Sequence, residues 1–162
     1  MMKYSAAIFD MDGTILNTLT DLSASVNAAM RWAGAPEVSE EEVRRHLGNG
    51  ARKLIERCLP QDMRKDTDTV LNYYRPYYET HAAILTEPYP GIPETLKALR
   101  SCGVRIAVVS NKPDGAVKLL SARYFPGVFD IAIGERKGLR RKEPLFRRKR
   151  HGVWSHHRAG SR

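Results

Sequence analysis

The sequence predicts an α/β protein, a parallel sheet core interrupted by an inserted α-helical module. A short apolar run, Tyr4 to Phe9, ends in the carboxylates Asp10 and Asp12. Residues 16–86 then carry helical periodicity alone. After the Pro- and Gly-rich stretch Thr86 to Gly91, helix and strand patterns alternate, with apolar runs at Val104–Val109 and Phe129–Ile133.

The first run, built from Ala, Ile and Phe, reads as a buried strand. Strand side chains repeat every two residues, so Asp10 and Asp12 lean to one side at its carboxyl end. Two neighbouring carboxylates can divide a reaction. One attacks as a nucleophile; the other gives a proton to a leaving group and takes one from water. A divalent cation would offset their repulsion, and hard oxygen ligands with a phosphate suit Mg2+. Asp12-Gly13 after a strand is equally a hairpin turn signal. A hairpin needs a second alternating strand, whereas Ile15, Leu19, Leu22, Val26, Ala29 and Ala33 recur at spacings of three and four.

That periodicity predicts a helix from about Thr14 to Ala33, stopped by Gly34 with Pro36 beyond it. Ser39 and Glu42 form a capping-box pattern that starts a second helix, and Gly48-Asn49-Gly50 ends it. A third helix runs from Ala51 to Leu59, before Pro60. A fourth, around Asp68 to His81, carries Tyr73, Tyr74, Tyr77 and Tyr78, which read as packing. Pro76 within it predicts a kink or two pieces.

In the second half, Pro93 suits a first helical position, and the helix over Glu94 to Ser101 stops at Gly103. Val104–Val109 is a second buried strand, ending in Ser110-Asn111-Lys112-Pro113. Asp114 is expected to cap a helix to about Tyr124, and Phe129–Ile133 is a third strand. This order makes a parallel sheet with right-handed crossovers, whose ligands sit outside the strands' carboxyl ends. Asp10, Asp12, Ser110 and Asn111 all fall there. Ser110, Asn111 and nearby amides can hold phosphate oxygens. A plain turn is the other reading of Ser-Asn after a strand.

Composition narrows the class. No apolar run approaches the ~18 residues of a membrane span, and the N-terminus lacks a signal-peptide pattern. Cys58 and Cys102 have no metal-type spacing and suit a reducing compartment. The expectation is a soluble, cytoplasmic protein. Residues 1–135 hold 16 Lys and Arg against 17 Asp and Glu, a net of −1. Residues 136–162 hold 11 Lys and Arg against one Glu, a net of +10. A near-neutral body thus precedes a strongly basic tail.

Phe9-Asp10-Met11-Asp12-Gly13-Thr14 resembles the first motif of the haloacid dehalogenase-like hydrolases, and Val109-Ser110-Asn111-Lys112 resembles their second. Thr18 to Leu22, Leu47-Gly-Asn-Gly50, Pro88-Tyr-Pro-Gly-Ile92 and Ser110 to Asp114 narrow the likeness to the phosphoglycolate phosphatases. The resemblance covers residues 4 to about 142. It implies a Rossmann-like parallel sheet core, 1–15 and 87–142, with an inserted α-helical cap, 16–86, and a basic tail, 143–162, expected to be disordered. It also implies Mg2+-dependent hydrolysis of a small phosphorylated organic acid, 2-phosphoglycolate to glycolate, within carbohydrate metabolism. Asp10 would attack phosphorus and form an aspartyl-phosphate. Asp12 would serve as acid and base, and Thr14 would steady it. Asp10 and the Asp12 carbonyl would bind Mg2+. Ser110 and Asn111 would hold the phosphoryl group, with Asn49 and Gly50 toward the substrate. Arg44 and Arg45 are carboxylate partners or a solvated helix face. Asn17 stands where the family often has Asp.

The tail departs from the family. Gly138 to Pro144 resembles the third-motif lysine segment, with Lys142 as the catalytic lysine. The strand and acidic residues that would follow, completing the Mg2+ shell, are missing. A core incomplete at the C-terminus is therefore expected, through truncation or a reading-frame shift. The alternative function is a catalytically impaired fragment whose tail binds polyanions such as nucleic acid by counterion release. Either way the first strand would show an open edge, metal binding would be weak and turnover low. The oligomeric state is left open.

Overall fold

A computed structural model of the chain describes residues 4–136. Lys142 and the basic tail lie outside the described residues.

The first apolar run forms strand β1, Ala6–Phe9. Gly13 follows with φ of 70°, a left-handed conformation that glycine adopts without steric cost. The turn lets the Gly13 amide donate to the Leu16 carbonyl at 3.0 Å. Leu16–Asn17 then forms a two-residue strand, β2. The first helix, α1, consequently spans Leu19–Trp32 and starts five residues later than the periodicity predicts. Ile15 and Leu16 are fully buried, but against the sheet core and not on a helix stripe.

The insertion continues with α2, Glu40–His46, held by the predicted capping box of Ser39 and Glu42. Next comes α3, Ala51–Cys58, ending before Pro60. A 3-10 segment, Gln61–Asp66, has no apolar period and was invisible to pattern reading. Helix α4, Thr67–His81, is continuous through Pro76, so two pieces do not form. Pro76 itself is exposed, which keeps its ring clear of the core. Tyr74 and Tyr78 are buried; Tyr73 stacks on Trp32, and Tyr77 stacks on His81.

The return segment is more than a linker. Glu87–Pro88 forms β3, antiparallel to β2, and the two make a small ribbon at the base of the insertion. Asp21, on α1 and only 3% exposed, accepts the amides of Ile84, Leu85 and Thr86 at 2.8 to 3.0 Å. Helix α5, Ile92–Ser101, leads into β4, Arg105–Pro113. β4 runs four residues past the predicted strand, so Ser110 to Pro113 is strand and not turn. The register is irregular between Val109 and Pro113.

Helix α6, Asp114–Tyr124, begins after Pro113. The Asp114 carboxylate does not cap it. It accepts the Gly134 amide at 3.0 Å and pairs with Lys118 and Arg136. The last strand, β5, is Ile131–Glu135, shifted two residues from prediction. Gly134 passes so close to β4 that an added Cβ would lie 2.5 Å from the Lys112 carbonyl.

β1, β4 and β5 form a parallel sheet in the order β1-β4-β5. Two apolar clusters result. One joins α1 to α4, centred on Met30, Ile55, Tyr74 and Tyr78. The other packs α5 and α6 on the sheet through Leu96, Ile106, Val108 and Leu120. Among the described residues β1 is the outermost strand, and Ile8 is 62% exposed. Among the described residues no helix is long and apolar enough to cross a membrane.

Candidate active site

Parallel pairing of β1 and β4 brings their carboxyl ends to one rim. Asp10 and Asp12 follow β1, while Ser110 to Pro113 form the end of β4. A cavity of about 300 Å³ opens between this rim and the helical insertion. Asp10, Asp12, Ser110, Asn111 and Lys112 line it from the sheet side. Gly48, Gly50, Leu54, Tyr74 and Tyr78 line it from the insertion.

Asp12 is the most heavily held of these groups. Its Oδ1 accepts the Thr18 hydroxyl at 2.6 Å and the Lys112 ammonium at 2.8 Å. The Lys112 side chain is 1% exposed. A buried ammonium requires partners, because desolvation costs several kcal/mol per ion. Here the partners are the Asp12 carboxylate and the Tyr78 hydroxyl, with the Tyr78 ring centroid 4.4 Å from Nζ. Burial pushes the Tyr78 hydroxyl well above its usual range, and the Asp12 and Asp21 charges push it the same way. Tyr78 therefore stays neutral and can accept from the ammonium. One lysine thus ties the carboxylate rim to α4.

Two of the remaining groups are held locally and one across the cavity. Asp10 Oδ1 accepts the Met11 amide at 2.8 Å. Ser110 Oγ accepts the Lys112 amide at 3.3 Å. Asn111 Nδ2 donates to the Gly48 carbonyl at 3.0 Å, a second tie between sheet and insertion.

Several expectations change. Thr14 is exposed on the Gly13 turn and does not line the cavity. Thr18, not Thr14, steadies Asp12, because β2 carries the chain back toward the rim before α1 begins. Asn49 is exposed; its glycine neighbours line the cavity in its place. Arg44 and Arg45 are exposed and pair with Glu41, the solvated-face alternative. Lys112 and Tyr78 were missed as site residues. Lys112 directly follows Ser110-Asn111 at the carboxyl end of an apolar run, which was the available signal for the first; nothing local marked Tyr78 among four tyrosines. Among the described residues no group of three His, Cys, Asp or Glu side chains could hold a metal ion.

The sequence pattern of the haloacid dehalogenase-like hydrolases matches residues 7–142. A phosphoglycolate phosphatase from Aquifex aeolicus is 33% identical over 128 residues, 78% of this chain and 59% of the relative. An N-acetylmuramic acid 6-phosphate phosphatase from Pseudomonas aeruginosa is 35% identical over 113 residues, 69% of this chain and 50% of the relative. A crystal structure from Lactobacillus delbrueckii subsp. bulgaricus, provisionally named a phosphoglycolate phosphatase, superposes with a TM-score of 0.80 at 39% identity. That match covers 87% of this chain and 69% of the other. The chain therefore spans roughly half to two thirds of the length of the curated relatives it matches. With a paired-carboxylate rim under a helical insertion and a family pattern matched along most of its length, the chain belongs to the haloacid dehalogenase-like hydrolases.

Proposed function

We propose that the chain is a Mg2+-dependent phosphatase acting on a small phosphomonoester, 2-phosphoglycolate, with Asp10 as nucleophile. The observation that carries this is the convergence of Asp10, Asp12, Ser110 and Asn111 on one cavity beneath the insertion. Its volume, about 300 Å³, is at the lower end for small-molecule sites and suits a short substrate.

Asp10 attacks phosphorus, and the bond from phosphorus to the organic oxygen breaks. Asp12, having first taken up a proton from water, hands it to the leaving alkoxide, yielding glycolate. Water then attacks the aspartyl-phosphate, Asp12 takes the water's proton, and phosphate departs from Asp10. Thr18 and Lys112 both engage Oδ1 of Asp12. This leaves Oδ2 as the proton-carrying oxygen. Ser110 and Asn111 donate to the phosphoryl oxygens, where charge develops in the transition state. Asn111 must leave the Gly48 carbonyl to do so, which couples phosphate binding to the fit of the insertion over the site.

Two carboxylates fit a cation that takes one or two of them, a substrate phosphate and several waters. Asp10 and the Asp12 carbonyl would hold Mg2+, which when bound offsets negative charge on the carboxylates and the phosphate. The presence of only two carboxylates at the cavity among the described residues favours a second reading: an impaired member of the family with weak metal binding and low turnover, its tail binding polyanions.

The test is Mg2+-dependent phosphate release from 2-phosphoglycolate, with N-acetylmuramic acid 6-phosphate alongside and Asp10→Asn as control. Release that depends on Mg2+ and vanishes in the variant supports the phosphatase. No release from a folded sample supports the impaired reading. In that case, nucleic-acid binding that falls steeply with salt and disappears without residues 143–162 identifies the tail as the active element.

A further inference from the structure

Gly48-Asn49-Gly50 joins α2 to α3 at the cavity. Gly48 and Gly50 line the cavity, and Asn49 between them is exposed. The loop is anchored on both sides. The Gly48 carbonyl accepts the Asn111 side chain at 3.0 Å, and the Gly50 carbonyl accepts the Leu54 amide at 3.1 Å in the first turn of α3. Of the five asparagines in the chain, Asn49 alone precedes glycine. Asparagine is a thermolabile residue. Its side-chain carbonyl can be attacked by the next backbone nitrogen, and glycine, without a Cβ, leaves that nitrogen unshielded. The other four precede Thr18, Ala28, Tyr73 and Lys112 and lie in strands or helices. There the regular backbone holds the next nitrogen away from the side-chain carbonyl. Asn27 is further held at both ends by Val38.

We propose that Asn49 is a site of spontaneous deamidation, and that its isoaspartyl product releases the tie between Asn111 and Gly48. The Gly50 nitrogen bonds to Cγ of Asn49 and closes a succinimide ring. Nδ2 leaves as ammonia, carrying away the proton from the Gly50 nitrogen. Water then opens the ring. Attack at Cγ gives aspartate; attack at the backbone carbonyl gives isoaspartate, in which the chain runs through Cβ. Both products add a negative charge between two residues that line the cavity. Isoaspartate also adds one atom to the backbone between the Gly48 and Gly50 anchors, so one anchor must yield. Helix α3 is fixed by Leu54 and Ile55, both buried in the apolar cluster of the insertion. Burying two such side chains outweighs one hydrogen bond. The Asn111 contact is therefore the one lost. The proposal rests on the loop alone and stands whether or not the phosphatase reading does.

The experiment holds the 162-residue chain at mildly alkaline pH and follows its five asparagine side-chain amide signals by nitrogen-proton NMR. Peptide mapping by mass, with isoaspartyl methyltransferase labelling, locates the product. The Asn49 signal should decay at least about ten-fold faster than the other four. The peptide holding Asn49 should gain the mass difference between amide and acid, and the methyl label. In the isoaspartyl fraction the Asn111 signal should shift. Asn49→Gln, which would have to close a larger ring, should carry no label there and keep the Asn111 signal in place. Asn49→Asp, with the charge but without the extra backbone atom, should also keep it in place. The proposal is overturned if Asn49 decays no faster than the other four, or if the label maps to Asp12-Gly13 or Asp114-Gly115 and not to Asn49. It is equally overturned if the Asn111 signal is unmoved in the isoaspartyl fraction, or moves as far in Asn49→Asp.

Discussion

At the scale of single residues, Thr18 and Lys112 decide what Asp12 can do. Both are buried, and both bond the same carboxylate oxygen, Oδ1. A hydrogen bond to a charged group is worth about 1.5–3 kcal/mol. Thr18→Val should therefore lower phosphate release by roughly ten-fold or more, while Thr14→Val, altering an exposed turn residue, should leave it near the parent value. Steady-state kinetics on the two variants separates the assignments. Asp114 makes a second residue-scale prediction. Burial opposes its ionisation, but the Gly134 amide, Lys118 and Arg136 overcome that and hold the carboxyl at about 2, below its ordinary 3.8. The ionised form is thus favoured by folding. The resulting stability is present above about pH 4 and is lost as pH falls toward 2. Urea midpoints measured across that window should drop for the parent and drop less for Asp114→Asn.

At the scale of elements, the return from the insertion depends on Asp21. Three consecutive amides at Ile84, Leu85 and Thr86 have its carboxylate as their acceptor. Without it, the buried Thr86 amide and the part-buried amides of Ile84 and Leu85 lose their partner, at a cost of about 1–3 kcal/mol where water cannot replace it. Asp21→Ala should destabilise the chain by roughly 3 kcal/mol, seen as a lower thermal midpoint. It should also raise hydrogen exchange first in 84–86, where the insertion rejoins the core. The long elements were legible because their signals are repetitive. The capping box of Ser39 and Glu42, the apolar run before Asp10 and the stop at Pro60 each act locally. The β2–β3 ribbon was not legible. Two-residue strands carry no period, and their pairing joins positions some seventy residues apart in sequence. The late start of α1 follows from the same ribbon.

At the scale of the whole molecule, the cavity lies where the insertion meets the carboxyl ends of β1 and β4. Asn111 to Gly48 and Lys112 to Tyr78 bridge the cavity, so the insertion meets the core at the site itself. Among the described residues only Asp10 and Asp12 bring carboxylates to the cavity. Mg2+ titration by calorimetry should give affinity in the millimolar range or weaker, about −4 kcal/mol or less favourable, and Asp10→Asn should remove the heat of binding. Tight binding would mean that groups beyond Asp10 and Asp12 complete the shell.

By itself the sequence determined the order of the longer strands and helices, the placement of Asp10, Asp12, Ser110 and Asn111 at or beyond strand ends, and the family. Each depends on neighbours within a few positions, where period, capping and motif spacing act. Only the tertiary structure decided which side chains hold those groups. Thr18 replaced Thr14 because a turn and a short strand reversed the chain before α1. Lys112 found Tyr78 across 34 positions because burial of an ammonium must be answered by whatever acceptor packing brings near. The burial pattern of β1 was decided there as well. Ile8 and Phe9 are adjacent in sequence and equally apolar, and only the side on which the helices fell made one of them core and the other surface.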